Sequence, residues 1–460
     1  MIADFGAKLV RYVASKKKRS IGSSTGAARY TRSLDMPFQP VIFADGQYAI
    51  FEDMYGHEGK YPNRGPTFAP WILMRERRND IFYETKGVFV EEGQRWHDVR
   101  SKVQQDFMRP KSAYFYIDEI QNVSCDFIEY IKAKRSSQDK SLHHCYPDFL
   151  KYSFESISVI ALETRLGCLK PTLDPEIDKL FTSVNALLES LIPMLQKPLW
   201  KYLPSPRWDR QFRESEDNFG ILVDFCQKQI ANAQQKIELQ DKDHRDEMSI
   251  LAKMMQRNGP DSSYPMVMAL DMMFAGIDTT GLTLAYLMYH LAAHPDQQAK
   301  ARKECQSMGQ TLSVKDLNDL KYLKACLQES FRLTPTIAMH GRQIARDMVL
   351  HGYHIPKDTM VCSCPLLFRE LFEDWTTFQP ERWLDGRKKE VCPFTVRQFS
   401  HGPRMCIGKR FAELEVLIAA HRLLTNFDIR WINKDPLTIS QTFLNVPDQS
   451  LDFQFNDLSK

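Results

Sequence analysis

The chain has 460 residues, of which 43% are hydrophobic and 26% are charged, and its formal net charge is +3. This composition is that of an ordinary globular protein, and it lacks the polybasic character of a nucleic-acid-binding chain. No run of eighteen apolar residues occurs, so no transmembrane helix is predicted. The 10 cysteines form no Cys-x-x-Cys pair, which argues against a zinc site or a disulfide framework and for a reducing compartment.

Residues 1–34 form a basic leader with eight lysines and arginines, five serines and a single acid. Ile2, Phe5, Leu9 and Val13 recur at helical spacing, which predicts an amphipathic cationic helix. Such a segment resembles a mitochondrial transit peptide. A disordered basic tail or a surface-binding arm is the alternative that these residues leave open.

Residues 35–460 predict one large domain, because no repeat and no Pro/Gly/Ser-rich linker divides them. Short extended pieces over 36–70 favour a small sheet or loops, and extended stretches return at 334–365 and 427–455. The intervening pattern is mostly helical, so the predicted fold class is mainly α with small β-sheets (α+β). Helices are predicted at 94–109, 111–135, 148–166, 174–195, 215–238, 245–257, 264–293, 295–306, 321–333 and 409–425.

The first of these helices carries Trp96 and Arg100, which are four residues apart and therefore share a face. An indole and a guanidinium on one face can together bind a buried carboxylate. Taken alone, the pair is more often a packing aromatic beside a solvated charge.

The longest predicted helix contains Ala275-Gly276-Ile277-Asp278-Thr279-Thr280, whose glycine, acid and threonines disfavour a helix interior. Rule-breaking of this kind tends to mark a functional site. Gly276 is expected to let a ligand approach the backbone, and a threonine hydroxyl to bond back to a carbonyl and open the helix. Asp278 beside Thr279 predicts an acid–alcohol relay for protons. A helix start, with threonine or aspartate as the N-cap, is the alternative.

Glu329 and Arg332 are opposite charges three residues apart in an otherwise apolar helix. A surface ion pair is the simplest interpretation of that spacing. Arg382 lies in the irregular stretch 378–383, from which it is predicted to join the pair in a buried network.

Cys406 lies between Gly402 and Gly408, follows Arg404, and leads into the helical stretch 409–424. The glycines predict sharp turns and a close approach to a flat ligand. The helix N-terminus is expected to direct amide donors at the sulfur and to lower the pKa of the thiol. The pattern predicts a thiolate metal ligand, and a buried inert cysteine is the alternative.

Five motifs follow one another from residue 96 to 408: Trp-x-x-x-Arg, Ala-Gly-x-Asp-Thr-Thr, Glu-x-x-Arg, Phe-x-Pro-Glu-Arg and Phe-x-x-Gly-x-Arg-x-Cys-x-Gly. Their order resembles the cytochrome P-450 family of haem-thiolate monooxygenases, over roughly residues 60–455. The resemblance implies the fold of that family, one large helical domain around a buried haem b. It is closest for the mitochondrial branch, through stretches such as Glu58-Gly59-Lys60-Tyr61-Pro62-Asn63-Arg64.

The resemblance implies a role for each residue of these motifs. Cys406 is expected to be the axial ligand of the haem iron, with Phe399 packed against the sulfur. Asp278 and Thr279 are the expected catalytic relay. The other expected roles are haem binding by Trp96, Arg100, Ala275, Gly276, Arg342 and Arg404, and a structural triad of Glu329, Arg332 and Arg382.

The activity implied by the resemblance is insertion of one oxygen atom from O2 into a lipophilic substrate, with steroids or sterols favoured. The substrate pocket is expected at 68–73, 270–279, 336–339 and 443–446, and its methionines suit an irregular shape. Those methionines are Met266, Met268, Met272, Met273 and Met339.

Electrons are expected from NADPH through an adrenodoxin-like ferredoxin that docks on a basic face. The residues predicted for that face are Lys321, Lys324, Lys409 and Arg410. Gln328 stands where relatives usually carry a second lysine. The implied location is the matrix side of the inner mitochondrial membrane, as a peripheral protein.

Three alternatives remain at this level. One is an oxygen-independent haem-thiolate isomerase or dehydratase of hydroperoxides, the second is a xenobiotic-oxidising monooxygenase, and the third is a non-catalytic haem sensor or lipid carrier. The Asp278–Thr279 pair favours a monooxygenase, because the oxygen-independent and non-catalytic alternatives need no proton relay.

Overall fold

Helices make up most of the computed structural model, which describes residues 41–43, 54–55, 58–65, 68–196, 205–238, 248–259, 262–350, 353–384 and 396–458. The predicted basic leader at 1–34 lies outside these residues. The predicted fold class, mainly α with small sheets, is confirmed. The helices are α1 (Ala69–Arg77), α2 (Gly93–Phe107), α3 (Pro110–Tyr114), α4 (Ile117–Lys134), α5 (Tyr146–Leu162), α6 (Pro175–Gln196), α7 (Pro206–Glu238), α8 (Ile250–Asn258), α9 (Tyr264–Ala293), α10 (Pro295–Ser307), α11 (Val314–Asp319), α12 (Lys321–Leu333), α13 (Pro365–Phe368) and α14 (Lys409–Asn426).

Proline fixes many of the helix starts, as expected for a residue with a preset φ and no N–H to satisfy. It stands in the first turn of α5 and of α10, among others. The predicted single helix over 111–135 is wrong: it divides into α3 and α4 around Phe115 and Tyr116. Sequence reasoning also missed α1, α11 and α13, whose short lengths carry little periodic signal.

The strands form four small sheets. They are β1 (Val41–Phe43), β2 (Ser141–Leu142), β3 (His340–Gln343), β4 (Met348–Leu350), β5 (Tyr353–Ile355), β6 (Met360–Ser363), β7 (Phe427–Trp431), β8 (Ile439–Gln441), β9 (Asn445–Pro447) and β10 (Phe453–Asp457). In the first sheet β6 lies between β1, to which it is parallel, and β3, to which it is antiparallel. The second has the order β2-β10-β7, and β4-β5 and β8-β9 are hairpin pairs.

The central element is α9, which packs along α5 and is buried along most of its length. Among the described residues, α9 is the one helix long and apolar enough to cross a membrane by length and composition. Its apolar side chains contact protein instead, since 72% of the most apolar window is buried within the fold. The helix is therefore the core of the domain.

Candidate active site

A cavity of about 360 Å³ lies inside the fold and is mainly lined by apolar side chains. Its walls come from α9, from β3, from the segment 398–408 and from the start of α14. Side chains of α2 and of the segments before α1 and α2 also line it, as do residues of α5, α6, α12 and β6. Three of the five motifs, which are far apart in the sequence, therefore meet at this cavity: the Trp96–Arg100 pair, the stretch 275–280 and the stretch 399–408.

The cysteine loop is held by its own backbone. The Cys406 N–H donates to the Phe399 carbonyl at 2.9 Å, and the Met405 N–H donates to the Gly402 carbonyl at 3.0 Å. Gly402 has a φ of 73°, as the sequence predicted for a sharp turn. Gly408 does not, because its φ of −83° is open to any residue.

The Cys406 side chain is surrounded by protein, and its accessible surface belongs to the cavity that it lines. Burial raises the pKa of the Cys406 thiol, while the N–H groups of Gly408 and Lys409 and the charge of Arg100 oppose that rise. The expected amide donors are thus present, but they do not outweigh burial by themselves. A cationic partner at the sulfur is what would favour the thiolate.

Arg100 lies beside Cys406 on α2. Its Nη2 donates to the Met405 carbonyl at 2.9 Å, and its Nε is buried without a hydrogen-bond partner. Burial lowers the pKa of Arg100 to about 10. One turn earlier, the buried Trp96 ring lies against the guanidinium of Arg404, with 4.2 Å between the guanidinium carbon and the ring centroid.

Arg404 is anchored on the segment before α2. Its Nε donates to the Pro62 carbonyl at 2.9 Å, and its Nη2 donates to Oε2 of Glu92 at 2.9 Å. Its Nη1 is buried without a hydrogen-bond partner. Burial lowers the pKa of Arg404 to about 9, although Glu92 opposes the change.

Arg342 reaches the cavity from β3 and is held mostly by protein groups. Its Nε donates to Oε2 of Glu58 at 2.8 Å, and its Nη2 donates to Ser400 Oγ at 3.2 Å and to the His401 carbonyl at 3.1 Å. The sequence predicts no role for Glu58 beyond its place in the stretch 58–64. In the structure its carboxylate binds Arg342 and so belongs to the site.

Arg64 is a cavity residue that sequence reasoning missed, although it ends that same stretch. Its N–H donates to Oε2 of Glu92 at 3.0 Å, and its Nη1 donates to the Phe89 carbonyl at 3.3 Å. Burial lowers the pKa of Arg64 to about 10, and the nearby charge of Arg342 lowers it further. Arg64 lies in a loop, where no helical or strand periodicity marks a residue as buried. The sequence pattern therefore gave no signal that could have identified it as a cavity residue.

The arginine cluster is defined as Arg64, Arg100, Arg342 and Arg404, and all four side chains line the cavity. Among the described residues, the carboxylates bonded to it are Glu58 and Glu92. His340, another lining residue, adds no charge, because burial lowers its pKa to about 3. Arg100 Nε and Arg404 Nη1 are buried without hydrogen-bond partners, so the cluster offers charged donors to a ligand that carries carboxylates.

On α9, Ala275, Gly276, Asp278 and Thr279 all line the cavity. The helix continues without interruption through them, so the alternative of a helix start is wrong. Thr279 Oγ1 donates back to the Ala275 carbonyl at 2.7 Å, as expected, but this bond does not open the helix. In that rotamer the hydroxyl proton is used in the bond to the Ala275 carbonyl, so the oxygen can only accept further hydrogen bonds.

Gly276 lines the cavity, and it also has a packing role that the sequence did not suggest. A Cβ added there would lie 2.8 Å from Cγ1 of Ile157 on α5. The glycine therefore permits the close packing of α9 against α5, and the Ser153 hydroxyl donates to the Gly276 carbonyl at 3.0 Å across the same contact.

Asp278 is 8% exposed. Burial raises the pKa of its carboxyl to about 6, and the negative charge of Glu189 adds to that rise. A carboxyl with this pKa exchanges protons near neutral pH, which is what a general acid requires.

Glu329, Arg332 and Arg382 lie together in a buried network. Glu329 accepts from Arg332 Nη2 at 2.7 Å, from Arg382 Nε at 3.0 Å and from the Gln379 N–H at 2.9 Å. Trp383 Nε1 also donates to Glu329, at 2.8 Å. Neither Arg332 nor Arg382 lines the cavity. Instead, each of them bonds the segment before residue 384 to α12.

Three of the four residues predicted for the basic face, Lys324, Lys409 and Arg410, carry charges that act on one acid, Glu413. Lys409 Nζ lies 3.7 Å from Glu413 Oε1, and the charges of Arg410 and Lys324 also act on Glu413. Burial raises the pKa of the Glu413 carboxyl, and these cations oppose the rise. Lys324 is partly buried and donates to the Asn318 carbonyl at 3.1 Å, whereas Lys321 and Arg410 are exposed.

The predicted substrate pocket is only partly right in its details. Met268, Met272 and Met339 line the cavity, whereas Met266 and Met273 pack in the core. Phe68, Ile337, Phe443 and Leu444 line it as expected, while Ile72 and Leu73 pack against the core. The lining residues that the sequence did not indicate include Val88, Phe89, Ile157, Leu188 and Met360.

Most of this chain is similar in sequence to members of one known protein family. The family model for cytochrome P-450 matches residues 38–454. The probable mitochondrial cytochrome P-450 12c1 of Drosophila melanogaster is 30% identical over 429 residues, which cover 89% of this chain and 80% of the relative. The probable mitochondrial cytochrome P-450 12a5 of the same species is 29% identical with the same coverage, and cytochrome P-450 CYP12A2 of Musca domestica is 29% identical over 438 residues.

Proposed function

Since this chain belongs to the cytochrome P-450 family of monooxygenases, we propose that it oxidises a lipophilic, steroid-like substrate in mitochondria with electrons delivered by a ferredoxin. The single observation that carries the proposal is the buried cavity at which Cys406, the arginine cluster and the Asp278–Thr279 pair meet. That cavity provides a sulfur ligand, a dianion site and a proton-exchanging acid in one enclosed space.

The residues of the cavity fit haem b. Haem carries two propionates, which match the unpartnered donors at Arg100 Nε and Arg404 Nη1. Guanidinium groups bind carboxylates in a planar, charge-assisted geometry. Cys406 is the sulfur available to the iron, and a bound cation would favour the thiolate that burial alone disfavours.

When bound, haem with a thiolate ligand would supply the oxygen-activating chemistry. The protein then has three tasks. The cavity excludes water from the reaction, and its apolar wall positions a lipophilic substrate. Asp278 exchanges protons near neutral pH. Thr279 accepts a hydrogen bond through its oxygen, or donates one after its hydroxyl rotates away from the Ala275 carbonyl.

Several observations support the finer parts of the proposal. The apolar lining and its three methionines favour a lipophilic substrate of irregular shape. The names of similar proteins include "mitochondrial", which supports a mitochondrial location. The basic face around Glu413 suits a small acidic electron carrier such as a ferredoxin. A peripheral position on the matrix side of the inner membrane is part of the same proposal.

The test uses the purified haem-loaded protein. Reduction under carbon monoxide should move the main absorption band to the position diagnostic of thiolate ligation. Cys406→Ser should abolish that band while haem remains bound, and Cys168→Ser, at a buried cysteine away from the cavity, should leave the band unchanged. A thiolate band that persists in Cys406→Ser would contradict the assignment.

A further inference from the structure

A buried ion pair joins α1 to the cavity wall. Arg75 Nη2 donates to Asp271 Oδ1 at 2.6 Å, and the two side chains are 0% and 5% exposed. Nη1 of Arg75 donates to the Lys86 carbonyl. Burial raises the pKa of the Asp271 carboxyl, and the Arg75 guanidinium opposes that rise.

Asp271 lines the cavity, whereas Arg75 does not. Arg75 lies behind it in an aromatic shell, 4.9 Å from the Trp71 ring and 5.0 Å from the Phe82 ring. The lining residues near Asp271 are apolar, among them Val88 and Met268. The carboxylate is therefore a polar group on an otherwise hydrophobic part of the wall.

The geometry of this wall fixes the carboxylate. Oδ2 of Asp271 accepts from the Phe89 N–H at 3.3 Å, which ties it to the segment before α2. A Cβ at Gly87, whose φ is 96°, would collide with Oδ2 of Asp271 and Nη1 of Arg75. A carboxylate has about four acceptor positions, so the bonds from Arg75 and from the Phe89 and Val88 N–H groups leave acceptor capacity. A ligand in the cavity can therefore donate a hydrogen bond to the Asp271 carboxylate.

The charge of the pair selects the type of donor. Arg75 already neutralises Asp271, so a cationic amine would bring an uncompensated charge into a buried site. A carboxylate ligand would be repelled by Asp271 itself. A neutral hydroxyl satisfies the free acceptor without either penalty.

We propose that Asp271 anchors a hydroxyl group of the substrate, so that the enzyme selects lipophilic alcohols. This rests on the proposed function. Asp271 lies two helical turns before the Asp278–Thr279 relay, which places it about 10 to 12 Å along the helix from the relay. The anchoring hydroxyl and the oxidised carbon therefore lie at different ends of an extended substrate.

Binding of alcohol–ketone pairs to the haem-loaded enzyme tests this anchor. Steroid, terpenoid and straight-chain alcohols are compared by calorimetry with the corresponding ketones, which keep the size and the oxygen but cannot donate. At least one alcohol should bind about tenfold or more tightly than its ketone. A panel with no such pair, including a panel in which nothing binds, overturns the proposal.

The variant Arg75→Met/Asp271→Leu removes both charges at similar volume and is expected to stay folded. It should bind the preferred alcohol and its ketone with equal affinity. The control Arg257→Met/Asp106→Leu removes another ion pair, 3.0 Å between Arg257 Nη2 and Asp106 Oδ2, that does not line the cavity. It should keep the preference for the alcohol, and a preference retained in Arg75→Met/Asp271→Leu overturns the anchor.

The carbon monoxide band is recorded on the same samples. A thiolate band without any alcohol preference rejects the anchor alone. Absence of the band from the unaltered enzyme rejects the proposed function.

Discussion

Gly276 and Ile157 are in contact across the central pair of helices, because a Cβ on Gly276 would lie 2.8 Å from Cγ1 of Ile157. Such a distance is shorter than side-chain carbons normally allow. The close approach of α9 to α5 thus depends on the absence of one methyl group. It also sets the position of Asp278 and Thr279, which lie on the following half turn of α9.

Gly276→Ala should lower the free energy of unfolding by about 1 to 3 kcal/mol, because overpacking outweighs the gain in helix propensity. Combining it with Ile157→Ala should cost less than the sum of the single changes, with a coupling of at least about 0.5 kcal/mol. The control is Gly220→Ala on α7, where an added Cβ meets nothing within 4 Å. That variant should gain up to about 1 kcal/mol, and urea unfolding measures it together with the two single variants and their combination. A loss in Gly220→Ala equal to that in Gly276→Ala would show a general effect of glycine replacement.

Asp278→Asn should stabilise the protein at pH 7 and have no such effect below pH 4. The folded pKa of Asp278 is raised from 3.8 to about 6, so the stability present at low pH is lost as the pH rises through that range. This rise in the pKa of Asp278 corresponds to a loss of about 3 kcal/mol in folding stability at neutral pH. Unfolding midpoints measured from pH 4 to pH 7.5 check this, with the exposed Asp224→Asn on α7 as the baseline. A gain that does not change with pH would count against the raised pKa.

Thr279→Ala should increase the hydrogen peroxide released for each NADPH consumed and decrease the product. The reason is that the variant removes the oxygen that accepts and passes on a proton beside Asp278. Thr279→Ser keeps the hydroxyl and should keep most of the coupling between NADPH use and product. Peroxide and product are measured together in the reconstituted system. Equal coupling in Thr279→Ala and in the unaltered enzyme would remove Thr279 from the relay.

Glu329→Gln should destabilise the protein by about 3 to 5 kcal/mol, because it leaves Arg332, 2% exposed, and Arg382 without their counter-charge. The exposed pair Lys228–Glu176, at 2.9 Å, provides the comparison. Glu176→Gln should change stability by less than about 1 kcal/mol. Thermal unfolding and haem retention are the measurements, and similar losses in both variants would contradict a special role for the buried network.

Charge reversal on the basic face should raise the ferredoxin concentration needed for half-maximal turnover. Arg410→Glu and Lys321→Glu are the informative variants, because both side chains are exposed. Lys324 is less suitable, since it is partly buried and bonded to the Asn318 carbonyl. The control is Lys228→Glu on α7, and the effect should weaken at high salt. No change in the Arg410 and Lys321 variants would place the docking surface elsewhere.

Much of the fold could be predicted from the sequence, because helix formation here is largely local. The period of apolar residues located α9, α10 and α12 to within a residue at each end. Proline marked several starts, and the order of the motifs identified the family. Short helices such as α1 escaped, because fewer than three turns give little periodicity.

The sequence by itself determined which residues meet the family's pattern: Cys406, the Asp278–Thr279 pair, and Arg100 with Arg404. Tertiary structure decided what surrounds them. The contact of Arg75 with Asp271 joins residues 196 positions apart, and the link of Arg342 to Glu58 joins residues 284 apart. No local spacing encodes such pairs, because the energy of a buried charge depends on the groups that folding brings to it. For that reason, only the folded chain shows which carboxylates bind the arginine cluster and which contact requires a glycine at position 276.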